Sequence, residues 1–91
     1  MSITSLIYYT YIVVCSDGSY YTGKTSDIDR RMKQHNGLLS GGAKYTRIKR
    51  PVKLVYMEQY TTNKFACQRE AKIKLLTHAK KKQLVASGLN E

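Results

Sequence analysis

Tyr20-Tyr21-Thr22-Gly23-Lys24-Thr25-Ser26-Asp27-Ile28-Asp29-Arg30-Arg31-Met32-Lys33-Gln34-His35 reads as a strand that passes through a turn into a helix, and the rest of the chain is organised around it. Tyrosine, lysine, arginine and histidine crowd into a span too short to need distant parts of a fold to bring them together. Ser26 followed three residues later by Asp29 has the form of a capping box, Asp27 and Asp29 suit the positive end of a helix dipole, and Gly37 stands where a left-handed terminating residue is wanted. The spacing predicts a helix over 27–36. At about 100° per residue, Ile28, Arg31, Met32 and His35 fall on one face, while Arg30, Lys33 and Gln34 point away. An arginine and a histidine on an inward stripe cost desolvation unless something uses them. Either Arg31 snorkels past Met32 and His35 bonds a backbone carbonyl, or both belong to a site.

Upstream, Leu6 to Cys15 is β-branched and aromatic throughout, which suits a strand covered on both faces and central in its sheet. The run is far shorter than the ~20 residues of a bilayer span and has no positive segment ahead of it, so a cytoplasmic location and no membrane are expected, although association with an anionic membrane would look the same by charge count. Ser16-Asp17-Gly18-Ser19 is a hairpin turn by composition. A two-residue loop at Asp17-Gly18 would place Tyr11 and Tyr21 on opposite sheet faces; a three-residue loop with a bulge at Gly18 would place them on the same face.

Downstream, the segment from Gly37 to Pro51 reads as irregular and contains Lys44, Arg47, Lys49 and Arg50 interleaved with Tyr45 and Thr46. Such a mixture holds phosphates while an aromatic ring stacks on a base, or else is a solvated loop. Val52 to Glu58 alternates as a third strand, with Val52, Leu54 and Tyr56 on one side. Thr61-Thr62-Asn63 supplies caps for a helix over 64–76, whose inward stripe of Ala66, Glu70, Ile73 and Thr77 has a carboxylate in its middle. A lone inward carboxylate needs a cation, a proton or a metal, and a salt bridge to a neighbouring Arg or Lys, Arg31 among them, is one solution. A last helix over 78–86, ended by Gly88, carries Lys80-Lys81-Lys82 outward and begins at His78, read as exposed and without a role.

Ninety-one residues with 16 Lys and Arg against 6 Asp and Glu give a net charge of +10, which points to a polyanionic partner, most simply nucleic acid. The chain is read as one domain over 1–91 with its core at 6–86. Cys15 and Cys67 have neither metal-ligand nor disulfide-framework spacing and are read as core fillers. The acids exclude a site built on clustered carboxylates. Asp17 belongs to the turn, Asp27 and Asp29 to the helix start, Glu58 lies near a strand end, and Glu91 is last in the sequence, so Glu70 is the best single ligand if a metal is held.

Taken in order, Asp17-Gly18-Ser19, Tyr21-Thr22-Gly23, Arg30-Arg31, His35-Asn36-Gly37, Gly42-Ala43-Lys44-Tyr45-Thr46, Arg50-Pro51-Val52 and Arg69-Glu70 resemble the GIY-YIG nuclease superfamily, in particular its small stand-alone bacterial branch. The resemblance implies an α/β (α+β) fold: a three-stranded antiparallel sheet flanked by about three helices, in the order β-β-α-β-α-α. It maps the motif tyrosines onto Tyr11 and Tyr21, the family arginine onto Arg31, the residue one turn later onto His35, the metal-binding glutamate onto Glu70, and a lysine frequent in the repair nucleases onto Lys24. Tyr9-Thr10-Tyr11 stands where the name-giving Gly-Ile-Tyr would be, and Tyr21-Thr22-Gly23 where Tyr-Ile-Gly would be; both keep the phenol.

What the resemblance implies is a metal-dependent endonuclease acting on nucleic acid, DNA favoured, with one divalent ion, Mg2+ or Mn2+, on Glu70. Tyr11 would be the base, Tyr21 would orient water or share the proton, Arg31 would clamp the phosphate, and His35 would bond the phosphate or a tyrosine. A tyrosine's ordinary pKa of ~10 makes it a poor base unless cations favour the phenolate. The scheme requires the two phenols on one sheet face, hence the odd hairpin loop. The alternatives are a non-catalytic nucleic-acid-binding module on the same scaffold and a chain recruited by a protein partner through its last helix.

Overall fold

Thr10, Tyr11, Ile12 and Val13 are all wholly buried, the mark of a strand covered on both faces. They form the middle of β1 (Tyr8–Val14), which lies between β2 (Tyr20–Thr25) and β3 (Lys53–Tyr60) in an antiparallel sheet of order β2-β1-β3. The computed structural model describes residues 6–88; Glu91 lies outside them. Helices α1 (Ile28–His35) and α2 (Lys44–Arg47) separate β2 from β3, and α3 (Asn63–Lys74) and α4 (His78–Gly88) follow. The expected order holds, with the single helical turn α2 added inside the segment expected to be irregular.

The hairpin has the odd loop. Gly18 N donates to Cys15 O at 2.9 Å and Cys15 N donates to Ser19 O at 2.8 Å, leaving Ser16, Asp17 and Gly18 in the loop. Gly18 takes φ +84°, open to a residue without Cβ. Tyr11 therefore pairs with Gly23 and Val13 with Tyr21, so both tyrosines stand on one face.

On that face α1 buries Ile28, Met32 and His35 against Tyr11, Val13, Cys15 and Leu54. Its cap is Asp27, whose carboxylate accepts from Arg30 N at 3.0 Å, one residue later than the expected Ser26. Gly37 ends it at φ +81° as expected. The opposite face carries Thr10 and Ile12 and is covered by α3, whose Ala66 and Ile73 are buried. Thr10 Oγ1 donates to Ala66 O at 2.7 Å, and Thr62 caps α3 by accepting from Phe65 N.

Four expectations are corrected. A bulge in β3 pairs Ile12 with Tyr56 but Val13 with Leu54, so Leu54 and Tyr56 lie on opposite faces, because one extra residue inverts the alternation. Cys67 is exposed on α3 and fills no core. Thr77 is exposed and lies outside the buried stripe. His78 is not idle: its ring stacks on Tyr20 at 4.7 Å between centroids, and its Nε2 lies 3.3 Å from Gly18 O, fastening α4 to the hairpin turn.

Candidate active site

The first motif tyrosine crosses the sheet to the second strand because the residue there has no side chain. A Cβ on Gly23 would lie 2.5 Å from Tyr11 Oη, so the phenol occupies the space that any other residue would fill. From β1 and α1, Tyr11 Oη and His35 Nε2 meet at 2.7 Å. Arg31, one turn before His35, donates from Nε to Tyr11 Oη at 3.3 Å. Tyr21 stands edge-on to the His35 ring at 5.2 Å. The inward face read from helix spacing thus brings a phenol, an imidazole and a guanidinium together as well as forming a packing stripe.

Arg31 is held entirely by neutral acceptors. Besides Tyr11 it donates from Nη1 to Gln34 Oε1 at 2.9 Å and to Gly41 O at 2.8 Å. No carboxylate forms a salt bridge with it among the described residues. The expected salt bridge of Glu70 is made, but to a lysine rather than to Arg31: Glu70 binds Lys74 Nζ at 3.2 Å one turn along α3. That i, i+4 spacing was readable in the sequence.

Burial divides the site. Tyr11 and His35 have no exposed surface, whereas Arg31 and Tyr21 are half-buried and form its outer wall. Burial pushes the Tyr11 phenol up to about 12; Arg31, by bond and charge, pulls the other way, and Tyr21 and Glu70 add to the rise. Burial likewise pushes His35 down to about 4, helped by the charges of Arg31 and Arg50. Arg31 is desolvated too, which lowers its pKa, but its contacts with Tyr11 and Tyr21 outweigh this and hold it above its ordinary value. At neutral pH the centre is a neutral phenol, a neutral imidazole and one guanidinium.

The segment 43–50 closes over the site. Thr46, wholly buried, places Oγ1 2.9 Å from His35 Nδ1. Tyr45 stacks on Tyr21 at 5.9 Å, with Lys49 Nζ 4.0 Å above the Tyr45 ring and 3.2 Å from Asp17. Tyr45 is held below its usual range, first by bonding to Ser19 and then by Lys49. Thr46 is read from sequence only as part of the Gly42–Thr46 run among the loop cations; its bond to His35 is not anticipated there.

Of the cations expected at a nucleic-acid surface, Lys44 and Arg47 are exposed. Arg50 is used internally: its Nε donates to His35 O at 2.6 Å across Gly37, where a Cβ would collide with the guanidinium, so it caps the end of α1. Lys24 pairs with Thr10 and so belongs to the other sheet face, away from both motif tyrosines. Sequence adjacency misleads there because alternate strand residues point to opposite sides.

Glu70 is half-buried, with its side chain 17% exposed. It is near enough for its charge to be felt at Tyr11. No group of three or more His, Cys, Asp or Glu gathers among the described residues. A single carboxylate with one oxygen turned to Lys74 suits an ion that takes most of its shell from water and phosphate, as Mg2+ does, so the donor set fits such an ion.

A three-stranded sheet with a phenol pair, a guanidinium and an imidazole on one face defines a small α+β domain with one polar cluster beneath α1. A model of the GIY-YIG catalytic domain matches residues 7–83. The chain belongs to that family, among its small UPF0213 members. It is 48% identical to a UPF0213 protein of Staphylococcus saprophyticus over 81 residues, 89% of this chain and 96% of that one. It is 49% identical to one of Haloquadratum walsbyi, covering 89% of each. The solution structure of a UPF0213 protein from Bacillus halodurans is similar at 44% identity and TM-score 0.56, over 88% of this chain and 83% of that one. A second solution structure, of a protein from E. faecalis, is similar at 38% identity and TM-score 0.63, over 93% and 88%. Among the described residues no helix is long and apolar enough to cross a membrane.

Proposed function

We propose that this chain is a divalent-metal-dependent endonuclease that hydrolyses phosphodiester bonds in nucleic acid, with DNA the favoured substrate. The observation that carries the reading is Arg31: a half-buried guanidinium beside two phenols, held by neutral oxygens alone. An anion brought to it gains the full charge-assisted bond without displacing a carboxylate. The net charge of +10 and the exposed Lys44 and Arg47 draw the polyanion in.

Phosphate engages Arg31 and draws it away from Tyr11, opening the phenol to water. Tyr11 takes a proton from the attacking water while its own proton passes to His35 Nε2, so the hydroxide forms as a P–O bond is made and the bond to the leaving oxygen breaks. Tyr21, on the outer wall, orients that water. The added negative charge of the phosphate offsets the two arginines that disfavour an imidazolium. Glu70 would hold the ion, which supplies charge neutralisation at the phosphoryl and leaving oxygens. The test is incubation of branched, single-stranded and duplex DNA with Mg2+ and the wild-type, Arg31→Ala and Glu70→Ala proteins. Cutting lost in both variants supports the reading; cutting that survives both overturns it.

One observation favours a second reading. Tyr11 and His35 are wholly buried and neutral, as a purely structural network would be, and a non-catalytic nucleic-acid-binding module would keep them so. Salt-sensitive binding with no metal-dependent cutting is its signature.

A further inference from the structure

The hydrogen bonds around His35 run in one direction, and their far end is Thr46. Arg31 Nε donates to Tyr11 Oη. Tyr11 is wholly buried, and the only acceptor in bonding contact with its hydroxyl among the described residues is His35 Nε2, at 2.7 Å. If Nε2 carried the proton, the phenol hydrogen would be orphaned in the interior, where an unpaired donor keeps its full desolvation penalty. At the other nitrogen, Thr46 Oγ1 donates its single hydrogen to Ala43 O at 3.0 Å and therefore meets His35 Nδ1, 2.9 Å away, as an acceptor.

We infer that Thr46 is a positioning residue that fixes His35 in the Nδ1–H tautomer, leaving Nε2 bare to receive the Tyr11 proton. The chain from Arg31 through Tyr11 and His35 to Thr46 and the Ala43 carbonyl is complete only in this arrangement. It also assigns a purpose to α2, a single turn anchored by the Tyr45 stack, the Lys49–Asp17 pair and the bond from Ser16 N to Lys49 O. These contacts hold Thr46 rigidly under the imidazole. The functional half of this inference rests on the nuclease reading; the tautomer does not.

Long-range 1H–15N NMR of the His35 ring in the free protein at neutral pH reads the tautomer directly. The expected result is Nδ1–H in the wild type and in Thr46→Ser, and a measurable share of Nε2–H in Thr46→Val, where Nδ1–H has lost its acceptor while Tyr11 still favours a bare Nε2. A wild-type ring protonated on Nε2 overturns the inference without any variant. So does a Thr46→Val ring whose Nδ1–H population is undiminished from the wild type. Where the protein cuts DNA, Thr46→Val lowers kcat by about tenfold or more with KM unchanged, and Thr46→Ser restores it. A protein with the expected tautomers but no cleavage activity would refute the nuclease reading and leave the positioning role intact.

Discussion

The two faces of the sheet each bury a polar cluster built on tyrosines and an arginine, and they are balanced differently. Behind β3, Glu58 accepts from Tyr56 and Tyr60 and from Arg69 Nε at 3.0 Å. Burial would raise the Glu58 carboxyl, but Arg69 and the two phenols outweigh it and hold the group below its usual range. Charge there closes on itself: one anion, one cation, two donors. On the α1 face Arg31 has the phenol and the imidazole but no acid. A closed cluster ties β3 to α3, whereas the open one leaves its guanidinium without an acid, and the proposed function assigns that place to a phosphate.

The largest expected effect separates them. Arg31→Ala should cost cleavage on the order of 100- to 1000-fold, with Arg31→Lys failing to rescue because the fork geometry is lost, and melting nearly unchanged. Glu58→Gln should do the reverse, lowering stability by about 1–2 kcal/mol in denaturant melts while cleavage by the folded fraction stays at the wild-type level. Loss of cutting in Glu58→Gln, or collapse of the fold in Arg31→Ala, would erase the contrast.

Titration sharpens it further. His35 is held at about 4, below its ordinary 6.5, so the unfolded chain binds a proton first as pH falls. Stability is full above about pH 6.5 and is lost down to about pH 4, by at most ~3 kcal/mol from this group. In His35→Gln the slope of stability against pH should flatten in that window, as measured by urea melts at each pH. A slope unaltered by the substitution would mean that His35 is not the buried neutral group described. The smallest effect belongs to the outer surface: Lys44→Ala and Arg47→Ala should each reduce the salt dependence of nucleic-acid binding by about one unit of slope, with no preference among sequences.

What the sequence revealed follows the range of the interactions. The Arg31 and His35 face was legible because helix spacing is local, and the odd hairpin followed once two phenols were required on one side. Helix α2 was not legible: four residues of Lys44–Arg47 have too little length for a periodic signal, and the turn is held by Thr46, Tyr45 and Lys49 reaching residues far off in sequence. Arg50 read as a surface cation because charge is visible in a sequence, while the carbonyl it caps and the bare Gly37 beneath it are not. The β3 bulge hid in the same way, since one looped-out residue leaves the alternation of types unchanged but reverses where Tyr56 points.

The proposed role of Arg31 as the phosphate's partner is open to direct observation. The Arg31 Nε–H resonance, followed by 1H–15N NMR while a short single-stranded DNA is added without metal, should shift progressively and saturate as its bond to Tyr11 is exchanged for phosphate. A resonance that stays in place while Lys44 and Arg47 report binding would show that the guanidinium is a structural tie, and that nucleic acid never reaches the phenols.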